Sequence, residues 1–347
     1  MGGSFVGALC GLTLAVAIVS PLVPSLLGKS AIFCVVAMSL CDALDYKPKS
    51  REASAVVLTA CLAVASTKLW FLTSAADNVM AMRMADKVVG SSISWAEYAI
   101  QNVPMGALYT AMSLALILLL LPARTDRKAL KATVEQKYQE LGPMTQEQKK
   151  ASVLLGLTIL ILSTENVHGL GIGFALIFIA MAAFLPGVNL MNSERLSRTN
   201  FAPLFFIVGC MGIGSAGGFL KVTDWLAMNT FPLFDGLGQV SAGVGSYSLG
   251  VAVNFLLTPL AAVSTLTAPL AELAAQMHVS PRILVYSFMY GLDNYLFPYE
   301  YAVILYFFSC GYIAFKDMFK VFAVRIVATG LFLLFVAVPY WGLFVAK

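Results

Sequence analysis

The chain has 347 residues, of which 59% are hydrophobic and only 12% are charged, and its formal net charge is +4. A soluble globular domain carries about a quarter charged residues, so this composition indicates a polytopic membrane protein instead. The basic residues are scattered over short loops, which argues against a nucleic-acid partner. The six cysteines lie in apolar segments without a C-x-x-C or Cys/His cluster, so neither a disulfide framework nor a zinc site is indicated.

Apolar stretches recur along the whole chain, and most are long enough for a helix of roughly 20 residues to cross the hydrocarbon layer. The first stretch has no basic n-region and no cleavage site leading into a polar chain, so we interpret it as a membrane segment and not as a signal peptide. In chain order the stretches cover residues 4–28, 31–44, 54–75, 104–123, 151–163, 170–187, 201–220, 239–276, 283–311 and 318–345.

Two regions, 4–44 and 239–276, are too long for one span and are interrupted near their middles. The first contains Ser-Pro-Leu at residues 20–22, and the second contains Thr-Pro-Leu at residues 258–260. A proline inside a helix removes an amide donor and clashes with the preceding turn, so each helix is expected to end there. We therefore predict two re-entrant helical hairpins, whose tips must be buried in protein or line a cavity. A Pro-kinked packing helix is the alternative for either phrase alone.

Two further spans carry polar interruptions. The span 283–311 is broken by Asp293, Asn294, Pro298 and Glu300 within an aromatic run, and the first half has the matching polar stretch 73–78. Each is predicted to be a broken transmembrane helix. The fold class is therefore all-α integral membrane, with two repeats that each contain a hairpin and a broken helix.

The distribution of charge tests this layout. If both hairpins return to the side they entered from, most lysines and arginines fall on one side of the membrane, in the loops 45–51, 124–150 and 188–200 and in the turn 316–320 with nearby Arg325. The positive-inside rule places that side in the cytoplasm, so we predict a multi-pass protein of the plasma (inner) membrane. Lys29 and Lys68 remain within membrane segments.

The hydrophilic stretch 124–150 is the long polar linker of the chain, and we expect it to form a cytoplasmic surface helix that ends at Gly142-Pro143. It separates a first repeat, residues 1–123, from a second part, residues 151–347. The hairpin and broken helix follow in the same order in both parts but with opposite topology. This is the plan of many secondary transporters, whose binding site lies at the interrupted segments near the midplane.

The chemistry of such a site follows from the backbone. Helix N-termini freed at a break present unpaired amides and the positive end of the dipole, which favour an anion. Serine and threonine hydroxyls beside them donate to carboxylate or sulfate oxygens, while freed carbonyls ligate a cation such as Na⁺.

Several phrases resemble the divalent anion/sodium symporter family of dicarboxylate, citrate and sulfate carriers. They include SPLVPSLLGKSAIFCVVAMSLCDALDYKPKSRE, FLTSAADNVMA, ELGPMTQEQKK, NFAPLFFIVGCMGIGSAGGF and FLLTPLAAVSTLTAPLAELAAQMHVSP, in family order along nearly the whole chain. The resemblance implies a homodimeric, Na⁺-coupled carrier that works by an elevator movement and has no cofactor. It assigns residues 20–25 and 258–265 to the hairpin tips, and residues 73–78 and 297–300 to the broken helices.

The candidate site residues follow from these assignments. Sodium is expected near Ser20 and Thr258. The substrate-binding candidates are Ser20, Pro21, Ser25, Thr73, Ser74, Asn78, Thr258, Pro259, Ser264, Thr265 and Pro298.

The sequence departs from the family pattern in three places. Pro21 and Pro259 stand near the position of the tip asparagine, and Pro298 is followed by Tyr299-Glu300 instead of Pro-Asn. Members also have about four more spans before the first hairpin, so the first repeat is expected to be incomplete. A truncated or degenerate non-transporting relative, a Na⁺-independent exchanger and an H⁺-coupled carrier therefore stay open as alternatives. No nucleophile–base pair, phosphate loop or metal-ligand spacing is visible in the sequence, so an enzyme is not expected.

Four charged residues within apolar segments are candidates for coupling or charge pairing: Lys68, Asp77, Asp293 and Glu300. A lysine in the hydrocarbon layer costs at least ~2.5–3.5 kcal/mol, so Lys68 should have a partner or face water. We consider two roles for it. Either Lys68 pairs with Asp77 or a carbonyl for structural reasons, or it replaces a bound cation or pairs with an anionic substrate.

Overall fold

The computed structural model describes residues 5–23, 25–122, 142–198 and 236–345, together with isolated positions between 139 and 234. Within these residues the regular structure is helical and contains no strand. Three helical segments are long and apolar enough to cross a membrane by length and composition: Leu26–Ala43, Trp95–Leu120 and Phe315–Phe344. The chain is thus an all-α membrane protein.

The first half of the described chain contains five helices and one 3₁₀ turn. They are α1 (Phe5–Val19), α2 (Leu26–Ala43), α3 (Arg51–Thr67), the 3₁₀ turn Leu72–Ser74, α4 (Ala76–Val89) and α5 (Trp95–Leu120).

The second half begins with α6 (Gln146–Ser163), α7 (Glu165–His168), α8 (Ile172–Ala182) and α9 (Ser193–Ser197). After residue 236 follow α10 (Gln239–Asn254), α11 (Pro259–Gln276), α12 (Pro281–Gly291), the 3₁₀ turn Pro298–Glu300, α13 (Ala302–Ser309), α14 (Phe315–Phe332) and α15 (Val338–Phe344). A π-helical turn, Leu333–Ala337, joins the last two helices.

Both proline phrases lie between helices, where the sequence predicts interruptions. In the first interruption (residues 20–25), α1 ends at Val19, and Ser25 caps α2 by accepting a hydrogen bond from the amide of Gly28. In the second interruption (residues 255–258), α10 ends at Asn254 and Pro259 is the first residue of α11. Proline suits the first position of a helix because an amide there would have no acceptor within the helix, so no hydrogen bond is lost. The re-entrant path of these helix pairs stays a prediction.

The predicted linker and the observed helices differ at one boundary. Helix α6 begins at Gln146, so the last five residues of the predicted linker, 146–150, are helical, because Thr145 and Gln148 form a reciprocal capping box. Most of the predicted linker helix, most of the apolar stretch 201–220, and Pro24 lie outside the described residues.

Two helices form the buried centre of the described structure. Every residue of α3 from Ala53 to Thr67 is buried, and α1, α2 and α5 pack around it. Every residue of α12 from Arg282 to Gly291 is also buried, between α10, α11 and α4. Glycines allow α10 and α12 to meet at the backbone, since a Cβ on Gly291 would lie 2.3 Å from the carbonyl oxygen of Tyr247.

Each of these buried helices is followed by a break with the same backbone form. In the first break (residues 68–75), Phe71 (φ −128°, ψ 145°) and Ala75 (φ −156°, ψ 150°) are extended and flank a 3₁₀ turn. In the second break (residues 292–301), Phe297 (φ −119°, ψ 153°) and Tyr301 (φ −148°, ψ 134°) flank a 3₁₀ turn in the same way. The two breaks thus share a local conformation without sharing their sequence.

Candidate functional site

A cluster of buried charges joins the two breaks. The Nζ atom of Lys68, from the first break, lies 3.3 Å from Oδ2 of Asp77 and 3.5 Å from Oδ1 of Asp293 in the second break. Lys68 and Asp293 are fully buried, and Asp77 is 5% exposed. Asp77 is thus the partner that one of the two roles considered for Lys68 requires, and Asp293 is a second partner from the other half of the chain.

The local structure explains why these groups meet. Lys68 directly follows the last residue of α3, and Asp77 lies in the first turn of α4, where the helix dipole favours a negative charge. Nζ of Lys68 also lies 5.2 Å from the centre of the Tyr301 ring, within range of a cation–π contact. The first break thus turns the chain so that Asp77, beyond its end, comes back to Lys68 at its beginning.

Asp293 has a second cationic partner, Arg325 of α14. One guanidinium nitrogen lies 2.7 Å from Oδ2 of Asp293, another donates to its backbone carbonyl at 2.7 Å, and the hydroxyl of Tyr109 donates to Oδ2 at 3.0 Å. The Nε atom of Arg325 donates to Ser113. The sequence-based assignment of Arg325 to the basic cytoplasmic turn is wrong, because the residue is only 1% exposed and pairs within the protein interior.

Lys29 of α2 brings a third buried cation to the first break. Its ammonium donates to Oγ of Ser20 at 3.1 Å and to the carbonyl of Ser74 at 3.0 Å, and Ser20 in turn donates to the carbonyl of Thr67. Lys29 is fully buried, and no carboxylate pairs with it within the described ranges. The sequence placed Lys29 in a membrane segment but did not assign it to the site. Its signal was a lone lysine in an apolar run soon after Ser-Pro-Leu.

Hydrogen-bonding groups without partners surround these cations. Oγ of Ser74 and Oδ1 of Asn78 are buried and have no hydrogen-bond partner in the described part of the chain. The three cations Lys29, Lys68 and Arg325 face two carboxylates, Asp77 and Asp293, so the cluster is electropositive. An electropositive, dry centre with unused polar groups is chemically suited to a small anion.

Two buried asparagines have matching roles at the two breaks. The amide of Asn78 donates to the carbonyls of Lys68 and Phe71, and the amide of Asn254 donates to those of Gly291 and Asn294. In both cases the two carbonyls are three residues apart and lie at or just past the end of the buried helix. Sequence reasoning missed Asn254, although it directly precedes the second interruption.

Other predicted site residues have local roles. Ser25 is an exposed helix cap, while the hydroxyls of Ser264 and Thr265 both donate to the carbonyl of Ala261 within their own helix. Thr258 is exposed, and its side chain does not cap α11.

Three more candidates are placed by the helix ends. Pro21 is half-buried in the first interruption, Pro259 is buried at the start of α11, and Pro298 begins the 3₁₀ turn of the second break. The carboxylate of Glu300 is buried and accepts hydrogen bonds from the amides of Leu296 and Phe297, so it caps its own loop. No hydrogen bond or ion pair of the described structure links these four side chains to Lys29, Lys68 or Arg325.

Together these features define a class: an all-helical membrane protein whose buried, electropositive centre lies at two helix breaks. Residues 1–346 match the sodium:sulfate symporter transmembrane region, and the chain belongs to this family. The resemblance found in the sequence is thereby confirmed.

Curated relatives are similar to the chain at low identity. The inner membrane protein YbhI of Escherichia coli K12 is 23% identical over 89% of this chain and 66% of its own length. The citrate/succinate antiporter of the same organism is 22% identical over 73% of this chain and 53% of its own length. The dicarboxylate transporter 2, chloroplastic, of Spinacia oleracea is 24% identical over 65% of this chain and 42% of its own length. The chain thus spans about two fifths to two thirds of the length of these relatives.

Proposed function

We propose that the protein is a secondary active transporter of small di- or polyvalent anions, namely dicarboxylates, tricarboxylates or sulfate. The names of two relatives and of the family support this substrate class. The observation that carries the proposal is the buried amino group of Lys29, which forms no ion pair with a carboxylate within the described residues. An unpaired charge in a protein interior is costly, and a bound anion supplies the missing countercharge.

The proposed anion lies beside the first break. Lys29 provides the charge, and Ser74 and Thr73 provide hydroxyl donors at the 3₁₀ turn. The amides at the start of α4 add the positive end of a helix dipole. Thr258 and Pro259 of the second interruption complete the site in the closed carrier, which is the role that the family resemblance gives them.

The carrier mechanism is part of the same proposal. The shared extended–3₁₀–extended conformation of the two breaks supports inverted repeats, and two helix pairs interrupted at Pro-Leu support two re-entrant hairpins. In an elevator movement these elements move together against the scaffold of a homodimer. The protein lies in the inner membrane with its basic loops in the cytoplasm.

A second candidate concerns the coupling ion. The sequence predicts Na⁺ near Ser20, but the oxygens of Ser20 and Ser74 already accept hydrogen bonds from the Lys29 ammonium. A Na⁺ ion beside that ammonium would meet like-charge repulsion in a medium of low dielectric constant. A fixed cation in this position favours Na⁺-independent exchange of anions over Na⁺ symport. Na⁺ near Thr258 stays a prediction.

Transport assays test both candidates. The purified chain is reconstituted into proteoliposomes, and uptake of labelled succinate, malate, citrate, tartrate and sulfate is measured under three conditions. These are an inward Na⁺ gradient, K⁺ salts alone, and K⁺ salts with unlabelled anion inside.

Each outcome selects one reading. Uptake that requires Na⁺ supports symport, and uptake that requires internal anion without Na⁺ supports exchange. Uptake of none of the five anions overturns the transporter. Anion-induced thermal stabilisation without uptake then identifies the non-transporting relative.

A further inference from the structure

Trp95, the first residue of α5, packs over the first break. Its indole Nε1–H donates to Oγ1 of Thr73 at 3.0 Å, and its ring stacks on Phe71 with ring centres 5.3 Å apart and an angle of 15° between the planes. Trp95 is 6% exposed. Its backbone amide donates to Oε2 of Glu165 at 3.0 Å. The residue is therefore fixed at three points: the indole nitrogen, the ring face and the main chain.

The direction of the indole hydrogen bond determines whether the Thr73 hydroxyl can still act as a donor to another group. An indole is a donor only, so Oγ1 of Thr73 must be the acceptor. The hydroxyl proton of Thr73 then remains for another partner, and no acceptor for it lies among the described residues. A buried hydroxyl held in this way acts as a hydrogen-bond donor. An anionic oxygen needs such a donor, because it can only accept hydrogen bonds.

A second tryptophan provides a contrast. Nε1 of Trp70 donates to Thr110 at 3.1 Å, Thr110 donates to Ser66 at 2.9 Å, and Ser66 donates to the carbonyl of Leu62 at 2.7 Å. Every hydroxyl proton in that series of hydrogen bonds has an acceptor within the protein. The series that starts at Trp95 ends at Thr73, whose hydroxyl proton is not donated to any of the described residues.

We propose that Trp95 is a positioning residue for the anion site. It acts through Thr73, whose hydroxyl it fixes as a donor to a carboxylate or sulfate oxygen of the substrate. This inference rests on the proposed transport function and adds a residue that the charge cluster does not contain. The substrate class follows from the direction of this hydrogen bond. A cation, or a ligand that carries only hydrogen-bond donors, could not accept the Thr73 proton.

The test compares Trp95→Phe with Trp341→Phe as the matched control. Each variant keeps an aromatic ring and loses one indole hydrogen bond, to Thr73 in the first case and to the carbonyl of Gln101, outside both breaks, in the second. In proteoliposomes, Trp95→Phe is expected to raise the KM for the best transported anion by about tenfold, because the hydrogen bond that Thr73 donates to a charged group loses its fixed direction. Vmax and the melting temperature should stay near wild type. Trp341→Phe should leave KM unchanged.

A double variant separates positioning from mere packing. If Trp95 acts through Thr73, then Thr73→Val combined with Trp95→Phe has the same KM as Thr73→Val alone. Thr73→Ser retains the hydroxyl and should keep a KM near wild type. If Trp95→Phe does not fold, Thr73→Val and Thr73→Ser still test the donor by the same assay.

The failures are distinguishable. A wild-type protein that transports normally, with an unchanged KM in Trp95→Phe or additive effects in the double variant, overturns the role of Trp95 alone. Equal KM values for Thr73→Val and Thr73→Ser do the same. A wild-type protein that transports none of the anions overturns the proposed function and this inference together.

Discussion

Each interruption contains or directly precedes a Pro-Leu phrase, but the hydroxyl residue beside the proline is buried in the first and exposed in the second. In the first, Ser20 is fully buried and its hydroxyl both accepts from Lys29 and donates to the carbonyl of Thr67. In the second, Leu256 is 85% exposed and Thr258 is exposed as well. Proline explains where the helices end in both places. Lys29 ties the first interruption to the neighbouring break, and among the described residues no lysine or arginine forms a hydrogen bond with the second interruption.

The two breaks differ in a complementary way. In the second break, the guanidinium of Arg325 holds Asp293 by its carboxylate and its carbonyl, a rigid arrangement that leaves little capacity for a ligand. In the first break, Lys29 and Lys68 each have more than one partner, and Ser74 and Asn78 keep unpartnered polar atoms, while in the second break the hydroxyl of Tyr295 is unpartnered as well. We propose that the first break recognises the ligand, since Lys29 forms no ion pair with a carboxylate among the described residues, and that the second break gives structural support. Four predictions test this division.

The largest effect is expected at the second break. Asp293→Asn removes the charge that neutralises Arg325 and Lys68, and breaking a buried ion pair costs about 3–5 kcal/mol of the free energy of unfolding. Thermal unfolding in detergent measures the loss. Glu194→Gln is the control, since its ion pair with Arg198 is exposed and should contribute little. A variant Asp293→Asn as stable as the control would remove the structural role from the second break.

The next effect separates activity from stability. Lys29→Met removes the proposed countercharge of the substrate, so anion uptake should fall by about 100-fold or more, the scale of a lost buried charge contact. The melting temperature should change little, because relief of the cost of burying an unpaired charge offsets the loss of the hydrogen bonds to Ser20 and Ser74. Lys87→Met, at an exposed position of α4, is the control for both measurements. Normal uptake by Lys29→Met would move the recognition site away from the first break.

A smaller effect tests the rigidity of the second half. Gly291→Ala places a methyl group 2.3 Å from the carbonyl oxygen of Tyr247, so α10 and α12 must separate at a cost of about 1–3 kcal/mol. Gly156→Ala lies within α6 with open space around it and should stabilise by about 0.5–1 kcal/mol through helix propensity. Chemical or thermal unfolding of both variants measures the change in the free energy of unfolding. If the backbone contact is real, this change is negative for Gly291→Ala and positive for Gly156→Ala, and changes of the same sign would contradict the contact.

The smallest effect returns to the two interruptions. Ser20→Ala removes a buried donor and acceptor and should destabilise by about 1–2 kcal/mol. Thr258→Ala should change stability by less than about 0.5 kcal/mol, because the residue is exposed in the described structure. Paired melting curves of the two alanine variants measure the contrast. Similar losses in both would show that the interruptions are equivalent.

The sequence predicted the parts of the site that depend on local rules. Proline phrases located both interruptions, and the short spacing between Lys68 and Asp77 made their pairing foreseeable. Arg325 was misassigned because charge counting follows position along the chain, and its partner Asp293 is 32 residues away in the second break. The lack of a carboxylate beside Lys29 depends on how α2 packs on α3. No local pattern contains that information.

The residues that complete the amide pairs show the same limit. Asn78 lies inside a polar stretch that already indicated a site, whereas Asn254 is an isolated polar residue at the end of an apolar helix. The role of Asn254 depends on tertiary packing, which brings the carbonyls of Gly291 and Asn294 within hydrogen-bond distance of its side-chain amide. The sequence alone marks such a residue as a helix end.

The backbone contact between α10 and α12 has a mechanical consequence. Gly250 and Gly291 bring the main chains of the two helices into direct contact, since a Cβ on Gly250 would lie 2.6 Å from the carbonyl oxygen of Phe288 and one on Gly291 would lie 2.3 Å from that of Tyr247. Asn254 adds hydrogen bonds to Gly291 and Asn294 at the end of the same contact. The second interruption and the second break are therefore joined through main-chain contacts, and any larger residue at either glycine has to push the two helices apart.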